Sequence, residues 1–241
     1  AYDFIMSMRL EEGKALLQKE KATNPGNRIP YFVENYIDFF TIYISEEEAL
    51  FERLEDNKKE RLSELKDGDK KSPYYLYTQA ELHLQWSFAR LKFKEYFTAF
   101  REAKKAFNLL EENDKRFPSF VANKKSLGLL HAIIGTIPDQ YKWGVKVLGL
   151  NGTIAQGMGE MRSILDYAEN NDFIFKSEAL FYYSFMALYL ENNPEKAWET
   201  ITTREVDCQE NLLNVFVVAS IAMRTGNNET AISTIENRPS D

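Results

Sequence analysis

The sequence predicts an all-α protein built from antiparallel helix hairpins. Alternation of apolar and polar residues between turns, the signal of a half-buried strand, is nearly absent. Breakers rich in Pro, Gly and Asn divide the 241 residues into segments of helical length. Two short stretches, "SEEE" and "TIAQ", have the pattern of capping boxes, which open helices. Short turns between helices favour antiparallel neighbours.

The first half of the chain is expected to contain five helices. The breaker "TNPGN" ends the first of them, and proline suits the first turn of the second. The polar stretch "KDGDKKSP" separates the third helix from the fourth. The expected ranges are 2–22, a helix from Pro30, a helix capped by Ser45 and Glu48 that runs to Lys66, 74–93 and 95–113.

The second half begins after "KRFPSF" and contains most of the glycine of the chain. Helices are expected over 119–134 and 139–150, followed by one that Thr153 and Gln156 cap and that runs to "ENND". Four more helices are expected after it, separated by "NNP", "TTREVD" and "TGNN".

Composition excludes several classes of protein. Hydrophobic residues make up 44% and aromatic residues 14%, which is enough for a sizeable core and argues against disorder. The net charge is −7, so no basic surface for nucleic acid is expected. Cys208 is the only cysteine, which excludes an intrachain disulfide and a multi-cysteine zinc site. We expect its thiol to be a small buried hydrophobic group and not a nucleophile.

Two hairpins near the C-terminus repeat each other. "EALFYYSFMALYLENNPEKAWETI" and "LLNVFVVASIAMRTGNNETAISTI" align without a gap and place Ala197 on Ala231, an offset of 34 residues. A third segment over 80–106 fits the same frame with Ala99 at the small position. A small residue there allows the second helix of a hairpin to cross the first closely.

A helix–turn–helix period of this length resembles the tetratricopeptide repeat (TPR) family. The resemblance implies one domain, a right-handed solenoid of helix hairpins with an irregular glycine-rich middle unit. Its parts would be N-terminal helices over 1–70, a repeat over 74–113, the irregular unit over 119–170 and two contiguous repeats over 174–241. The first-helix glycine of the family pattern is replaced by Ser87, Phe185 and Ala219.

In the TPR family the first helix of each repeat lines a concave surface, and the resemblance therefore implies a binding face for a protein or peptide. We expect no catalytic residue and no cofactor. The residues that the family register places on this face are Tyr182, Met186, Tyr189, Phe216, Ser220, Met223, Arg224, Gln85, Phe88 and Lys92. Their packing against a neighbouring helix remains the alternative.

Three further expectations concern location and partners. The chain also looks like TPR-like proteins of bacterial cell envelopes. It opens at Ala1 with no initiator methionine, so we interpret it as a mature form or as a chain whose leader was removed. Either interpretation permits the periplasmic or outer-membrane-associated location that we expect, with the cytoplasm as the alternative. An accessory protein that binds glycan or lipid-associated partners is the second functional hypothesis. The last repeat lacks a capping helix, so homodimerisation through it is a further alternative.

Enzyme chemistry has little support in the sequence. His83 and His131 have no partner at metal-ligand spacing, and we expect both on a helix face or in the core. Paired carboxylates occur in polar runs typical of solvated helix faces. An enzyme on an α-solenoid is therefore the weakest hypothesis, and it would need a polar pocket around one of these histidines.

Seven of the 11 glycines lie over 128–159, and a phosphate-binding loop is one explanation. Met158 stands where a P-loop needs lysine, and no strand precedes it. We therefore expect close packing of helices at Gly128, Gly135, Gly144, Gly157 and Gly159. The apolar stretch around Pro138 could instead contact a membrane, but a buried hairpin explains it equally well and we do not expect membrane contact.

Overall fold

The fold is all-α, as predicted, in the computed structural model, which describes residues 1–204 and 206–239. The described residues form thirteen helices and no strand. The first six are α1 (Tyr2–Met6), α2 (Leu10–Thr23), α3 (Ile29–Ser45), α4 (Glu48–Lys66), α5 (Tyr74–Lys92) and α6 (Tyr96–Arg116). The others are α7 (Ala122–Gly135), α8 (Asp139–Val147), α9 (Ile154–Asn170), α10 (Lys176–Tyr189), α11 (Pro194–Thr203), α12 (Leu212–Arg224) and α13 (Asn228–Glu236).

Most predicted boundaries agree with these helices within a few residues, with two exceptions. The opening helix is divided into α1 and α2, because Met8 adopts a left-handed conformation with φ 63°. Ser45 is not a helix cap: it is the last residue of α3, and the Glu47 amide lies 3.4 Å from its Oγ. Glu47 is the first residue outside α4, so the predicted capping box at Ser45 is wrong.

The chain separates into two compact units. The first comprises Ala1–Ile5 and Arg9–Asn123, and the second comprises Met6–Met8 and Lys124–Asp241. Each unit has its own buried apolar residues.

The first unit is built around α5. This helix packs against α3, α4 and α6, and every residue from Leu76 to Arg90 except Phe88 is buried. Polar residues lie on all sides of α5, so their buried side chains need hydrogen-bond or ion-pair partners. Asn35 on α3 donates to the Gln85 side chain at 2.7 Å and accepts from the Trp86 indole at 3.0 Å. Hydrogen bonds of this kind offset the cost of burying polar groups in a helix core.

The second unit is a series of helix pairs. α10 packs against α9, α11 and α12, and α12 packs against α13. Asn211 caps α12 by accepting from the amides of Leu213 and Asn214. Ala197 and Ala231, at the small positions of the two repeated hairpins, are buried. Ala99 occupies the corresponding position in the first unit and is buried too.

Gly128, Gly135 and Gly157 confirm the prediction of close helix packing, and Gly152, in the turn before α9, shows the same close approach. A Cβ on Gly157 would lie 2.7 Å from the backbone nitrogen of Ala132 on α7. A Cβ on Gly152 would lie 2.6 Å from the Cα of His131. Gly128 and Gly135 face backbone atoms of the opposite segment in the same way. These four positions therefore exclude side chains because two backbones meet there.

Gly144 and Gly159 do not follow this pattern. A Cβ on either residue would meet no atom within 4 Å. The prediction of close packing is therefore wrong for both. Gly159 lies on the exposed side of α9, and Gly144 lies on α8, a helix in which no residue is buried.

Candidate functional site

A group of large side chains remains accessible on neighbouring faces of α10 and α12. Tyr189 and Phe216 are 53% and 54% exposed, and Met223 is 55% exposed. Phe181 and Phe185 lie beside them and are half-buried. We call these five residues, together with Arg224, the aromatic surface.

Rings of the aromatic surface stack on one another. The Phe185 and Phe216 centroids are 5.9 Å apart and their planes differ by 5°. Phe185 also stacks with Tyr189 at 5.7 Å and lies 4.7 Å from Phe181. Offset stacking of this kind is favourable and fixes the positions of the rings. The outer rings are therefore held in place while more than half of their area faces solvent.

The contacts show that α10 and α12 run in the same direction. Phe216 lies near Phe181 and Phe185, and Arg224, eight residues later, lies near Tyr189. From Phe181 to Tyr189 the surface extends about 12 Å along α10, at about 1.5 Å per residue. This length corresponds to about two turns of a ligand helix.

Arg224 provides the charge at one end of the aromatic surface. Its Cζ atom lies 5.9 Å from the Tyr189 ring centroid, within the range of a cation–π interaction. Among the described residues Arg224 forms no ion pair. The aromatic surface itself contains no carboxylate, so it presents one cation and an apolar area.

Four of the seven residues predicted in the second unit belong to the aromatic surface, namely Tyr189, Phe216, Met223 and Arg224. The other three are less accessible. Ser220 is half-buried. Tyr182 is half-buried and donates a hydrogen bond to Glu178 at 2.8 Å. Met186 is buried in the core between helices and is not available to a partner.

The three residues predicted in the first unit do not form a comparable surface. Gln85 is buried against Asn35, as described above. Phe88 is half-buried. Lys92 pairs with Glu46 at 2.7 Å and lies 4.6 Å from the Tyr43 ring centroid. The Gln85 oxygen and the Lys92 ammonium thus have their partners within the first unit.

Phe181 and Phe185 were missed because the family register was followed too closely. That register selects Tyr182, Met186 and Tyr189, and it treats Phe185 as a substitute for a packing glycine. The spacing of Phe181, Phe185 and Tyr189 at i, i+4 and i+8 indicates one helix face by itself. Helical periodicity alone would have identified the accessible face.

A second candidate is a buried cluster of charges in the first unit. Glu102 on α6 contacts Lys58 on α4 and the Nδ1 of His83 on α5. Arg90 lies 3.8 Å from the same carboxylate and pairs with Glu55 and with Glu95. The cluster therefore connects α4, α5 and α6.

The protonation states of this cluster suit a structural function. Burial raises the pKa of Glu102, but hydrogen bonds from His83 and Lys58 outweigh it and hold the pKa at about 2. Burial lowers the pKa of His83 below its usual value, and the contact with Glu102 does not reverse this. A permanently ionised carboxylate beside a neutral imidazole and paired cations is poorly suited to transferring a proton at neutral pH.

His131 in the second unit is also buried, as expected. Its Nδ1 lies 2.7 Å from the Glu160 carboxylate on α9, and the Nε2 of the Gln156 side chain lies 3.1 Å from the same ring nitrogen. The Gln156 side chain thus contacts His131. The Gln156 backbone N–H donates to the Thr153 hydroxyl at 3.0 Å, so Thr153 caps α9. The Thr153 half of the predicted capping box is confirmed, whereas the Gln156 side chain bonds to His131 and Glu160 instead of reaching back to the Thr153 backbone.

A pocket of about 100 Å³ lies between α9, α10 and Arg204, lined by Leu165, Glu169, Lys176 and Leu180. Ligand pockets are usually several times larger. Cys208 is half-buried, and burial raises the pKa of its thiol, which disfavours the nucleophilic thiolate. Over the described ranges no cluster of three or more His, Cys, Asp or Glu could hold a metal ion.

Within the part of the chain that the structure describes, no helix has the length and apolar content that crossing a bilayer requires.

Comparisons of the chain with protein-family models, with curated proteins and with solved structures found no match.

Proposed function

We propose that this protein is a non-catalytic interaction module that binds a protein or peptide through the aromatic surface. The observation that carries the proposal is the exposure of Tyr189, Phe216 and Met223 beside stacked rings. Contiguous apolar area of this kind on a folded protein marks interaction sites. Aromatic and arginine side chains also dominate binding energy at interfaces.

The arrangement that we propose around this surface is a TPR-like solenoid. Three features support it: the buried alanines at the small positions of the repeated hairpins, the pairing of successive helices, and the common direction of α10 and α12. In such an arrangement the first helices of neighbouring repeats lie side by side and form one continuous face.

Peptide is favoured over glycan as the ligand. A sugar needs several hydrogen-bond partners around the ring that stacks on it. Phe181, Phe185, Phe216 and Met223 offer none, and the Tyr189 hydroxyl and Arg224 are the two hydrogen-bonding side chains of the aromatic surface, both at one end of it. An apolar segment of a protein needs only matching apolar area and fits this surface better.

Selection of a phage-displayed peptide library on the immobilised protein tests the proposal. We expect peptides with aromatic or aliphatic anchors at helical spacing. Their binding should weaken about thirtyfold in the double variant Tyr189→Ser with Phe216→Ser, the change for a loss of about 2 kcal/mol at a hot spot. Both side chains are more than half exposed, so the fold should persist.

The matched control is Tyr96→Ser with Phe97→Ser, which removes two exposed rings from the first unit. Peptides that bind equally to wild type and to the Tyr189/Phe216 variant would contradict the proposal. An oligosaccharide panel that binds in the same Phe216-dependent way would support the glycan hypothesis instead. We also propose an extracytoplasmic location, which fractionation of cells that express the tagged full-length gene would test.

A further inference from the structure

The turn between α8 and α9 contains the only Asn-Gly pair of the sequence, Asn151 and Gly152. Asn151 is exposed and lies outside both helices, and Gly152 is half-buried. Among the described residues neither the Asn151 side chain nor the Gly152 N–H forms a hydrogen bond. The side-chain amide and the backbone nitrogen that follows it are therefore both available to react with each other.

Several asparagines at other helix ends are held by hydrogen bonds. Asn193 and Asn211 accept from backbone amides at the starts of α11 and α12. The Nδ2 of Asn170 donates to the Asp166 carbonyl at 3.2 Å, at the end of α9. None of these three asparagines is followed by glycine, so a Cβ on the next residue hinders approach to its nitrogen.

We propose that Asn151 is a site of self-modification, at which the side-chain amide is converted to a mixture of aspartate and isoaspartate. The Gly152 nitrogen loses its proton to hydroxide and forms a bond to the Cγ of Asn151. The bond between Cγ and the side-chain nitrogen breaks, and that nitrogen leaves as ammonia after it takes a proton from water. The product is a cyclic imide, and water is the only further reactant that the reaction needs.

Water opens the imide at either of its carbonyl carbons. Attack at Cγ breaks the bond to the Gly152 nitrogen and restores the ordinary backbone, with aspartate at position 151. Attack at the backbone carbonyl carbon leaves the chain connected through Cβ and Cγ, which is isoaspartate. Isoaspartate therefore has one additional carbon atom in the main chain and a free carboxylate on its Cα.

The additional main-chain atom falls between two fixed points. Leu150 is buried, and its N–H donates to the Val145 carbonyl at 3.1 Å. Gly152 lies against α7, where an added Cβ would be 2.6 Å from the carbonyl oxygen of His131. Close-packed contacts of this kind have no room for another atom. Isoaspartate should therefore push Gly152 and Thr153 away from α7 and loosen the contact between α7 and α9.

Incubation of the folded protein at mildly alkaline pH, followed by proteolysis and mass spectrometry, tests the proposal. The peptide that contains Asn151 should gain the mass of an amide-to-acid conversion, at a rate within about tenfold of that in the chemically unfolded chain. Asn108, exposed within α6, and Asn170 are internal controls and should stay unmodified. Asn151→Gln should suppress the reaction, because the longer side chain forms the corresponding ring much more slowly.

Hydrogen–deuterium exchange distinguishes the effects of the two products. The isoaspartate form can be separated by chromatography and identified by labelling with an isoaspartate methyltransferase. It should exchange faster than the unmodified protein in α7 and in the first turn of α9. Asn151→Asp reproduces the other product and should exchange as wild type does, since its backbone is unchanged and a carboxylate near a helix N-terminus is favourable.

Four results would overturn the proposal. Asn151 that stays intact in the folded chain while the unfolded chain reacts excludes the site. Equal modification of Asn108 or Asn170 would show that the arrangement at Asn151 is not responsible. An isoaspartate form that exchanges like wild type would exclude the loosening of α7 and α9. Faster exchange in Asn151→Asp would assign the loosening to charge instead of the longer main chain.

Discussion

At the scale of single residues, the glycines of α9 offer a matched comparison. Replacing Gly157 with alanine places a Cβ against the α7 backbone, and overpacking of this kind costs about 1–3 kcal/mol. Replacing Gly159 with alanine meets open space and should stabilise the helix by about 1 kcal/mol. Urea unfolding of both variants measures the two changes. Equal effects at the two positions would show that α7 and α9 do not meet at Gly157.

Glu102 holds three cationic or hydrogen-bonding partners, so its charge matters more than its size. In Glu102→Gln the buried Lys58 loses its counter-charge, and we expect the free energy of unfolding to fall by about 3 kcal/mol. The control is Glu112→Gln, which removes a surface pair with Arg116 and should change stability by less than about 0.5 kcal/mol. Chemical denaturation at neutral pH and low salt measures both variants.

The same cluster predicts how stability depends on pH. The pKa of Glu102 is about 2 in the folded chain and about 4.3 when unfolded, so its contribution is complete above the higher value and is lost as pH falls towards 2. The pKa of His83 is lowered by folding, so the unfolded chain takes up this proton first, from about pH 6.5 downwards. Unfolding free energies measured from pH 7 to pH 3 should fall throughout, and the part of the fall that lies below about pH 4.3 should be smaller in Glu102→Gln.

At the scale of helices, the Thr153 cap of α9 makes a testable contribution. Its hydroxyl satisfies the Gln156 amide, which would otherwise lack an acceptor. Thr153→Ala should therefore lower the free energy of unfolding by about 1 kcal/mol, as is typical of lost caps. Thr153→Ser keeps the acceptor and serves as the control. Equal losses in both variants would mean that the methyl group, and not the cap, is responsible.

Helix boundaries could be predicted from the sequence because their signals are local. Proline, glycine and capping residues act within one turn, and most of the breaks lie close to such residues. The division at Met8 could not be predicted, since a left-handed methionine leaves no sequence signal. Ser45 shows the opposite failure: the capping pattern is present, but α3 continues through it.

Contacts between helices were harder to predict. His83 and Glu102 stand 19 residues apart on different helices, and nothing local in the sequence pairs them. The accessible face of α10 could have been predicted from the helical spacing of Phe181, Phe185 and Tyr189. The TPR register selected Tyr182 and Met186 instead, each one residue later. Burial of Gln85 depends on Asn35, which lies 50 residues away.

At the scale of the whole molecule, burial predicts where the chain opens most readily. In the second unit α10 contains eight buried residues and α8 contains none. Amides of α8 should therefore exchange with solvent fastest among its helices in dilute solution, and those of α10 should be among the slowest. Hydrogen–deuterium exchange with mass spectrometry measures this order. Slow exchange over 141–147 in the monomer would show that α8 is covered within the chain.

The Glu102 cluster also has a consequence for the history of this sequence. Lys58, His83 and Arg90 converge on one carboxylate, so a change at any of the four positions alters what the other three can tolerate. Substitutions there should accumulate in concert, while exposed positions drift independently. Correlated replacement at these four sites would then identify distant relatives after the rest of the sequence has diverged beyond recognition.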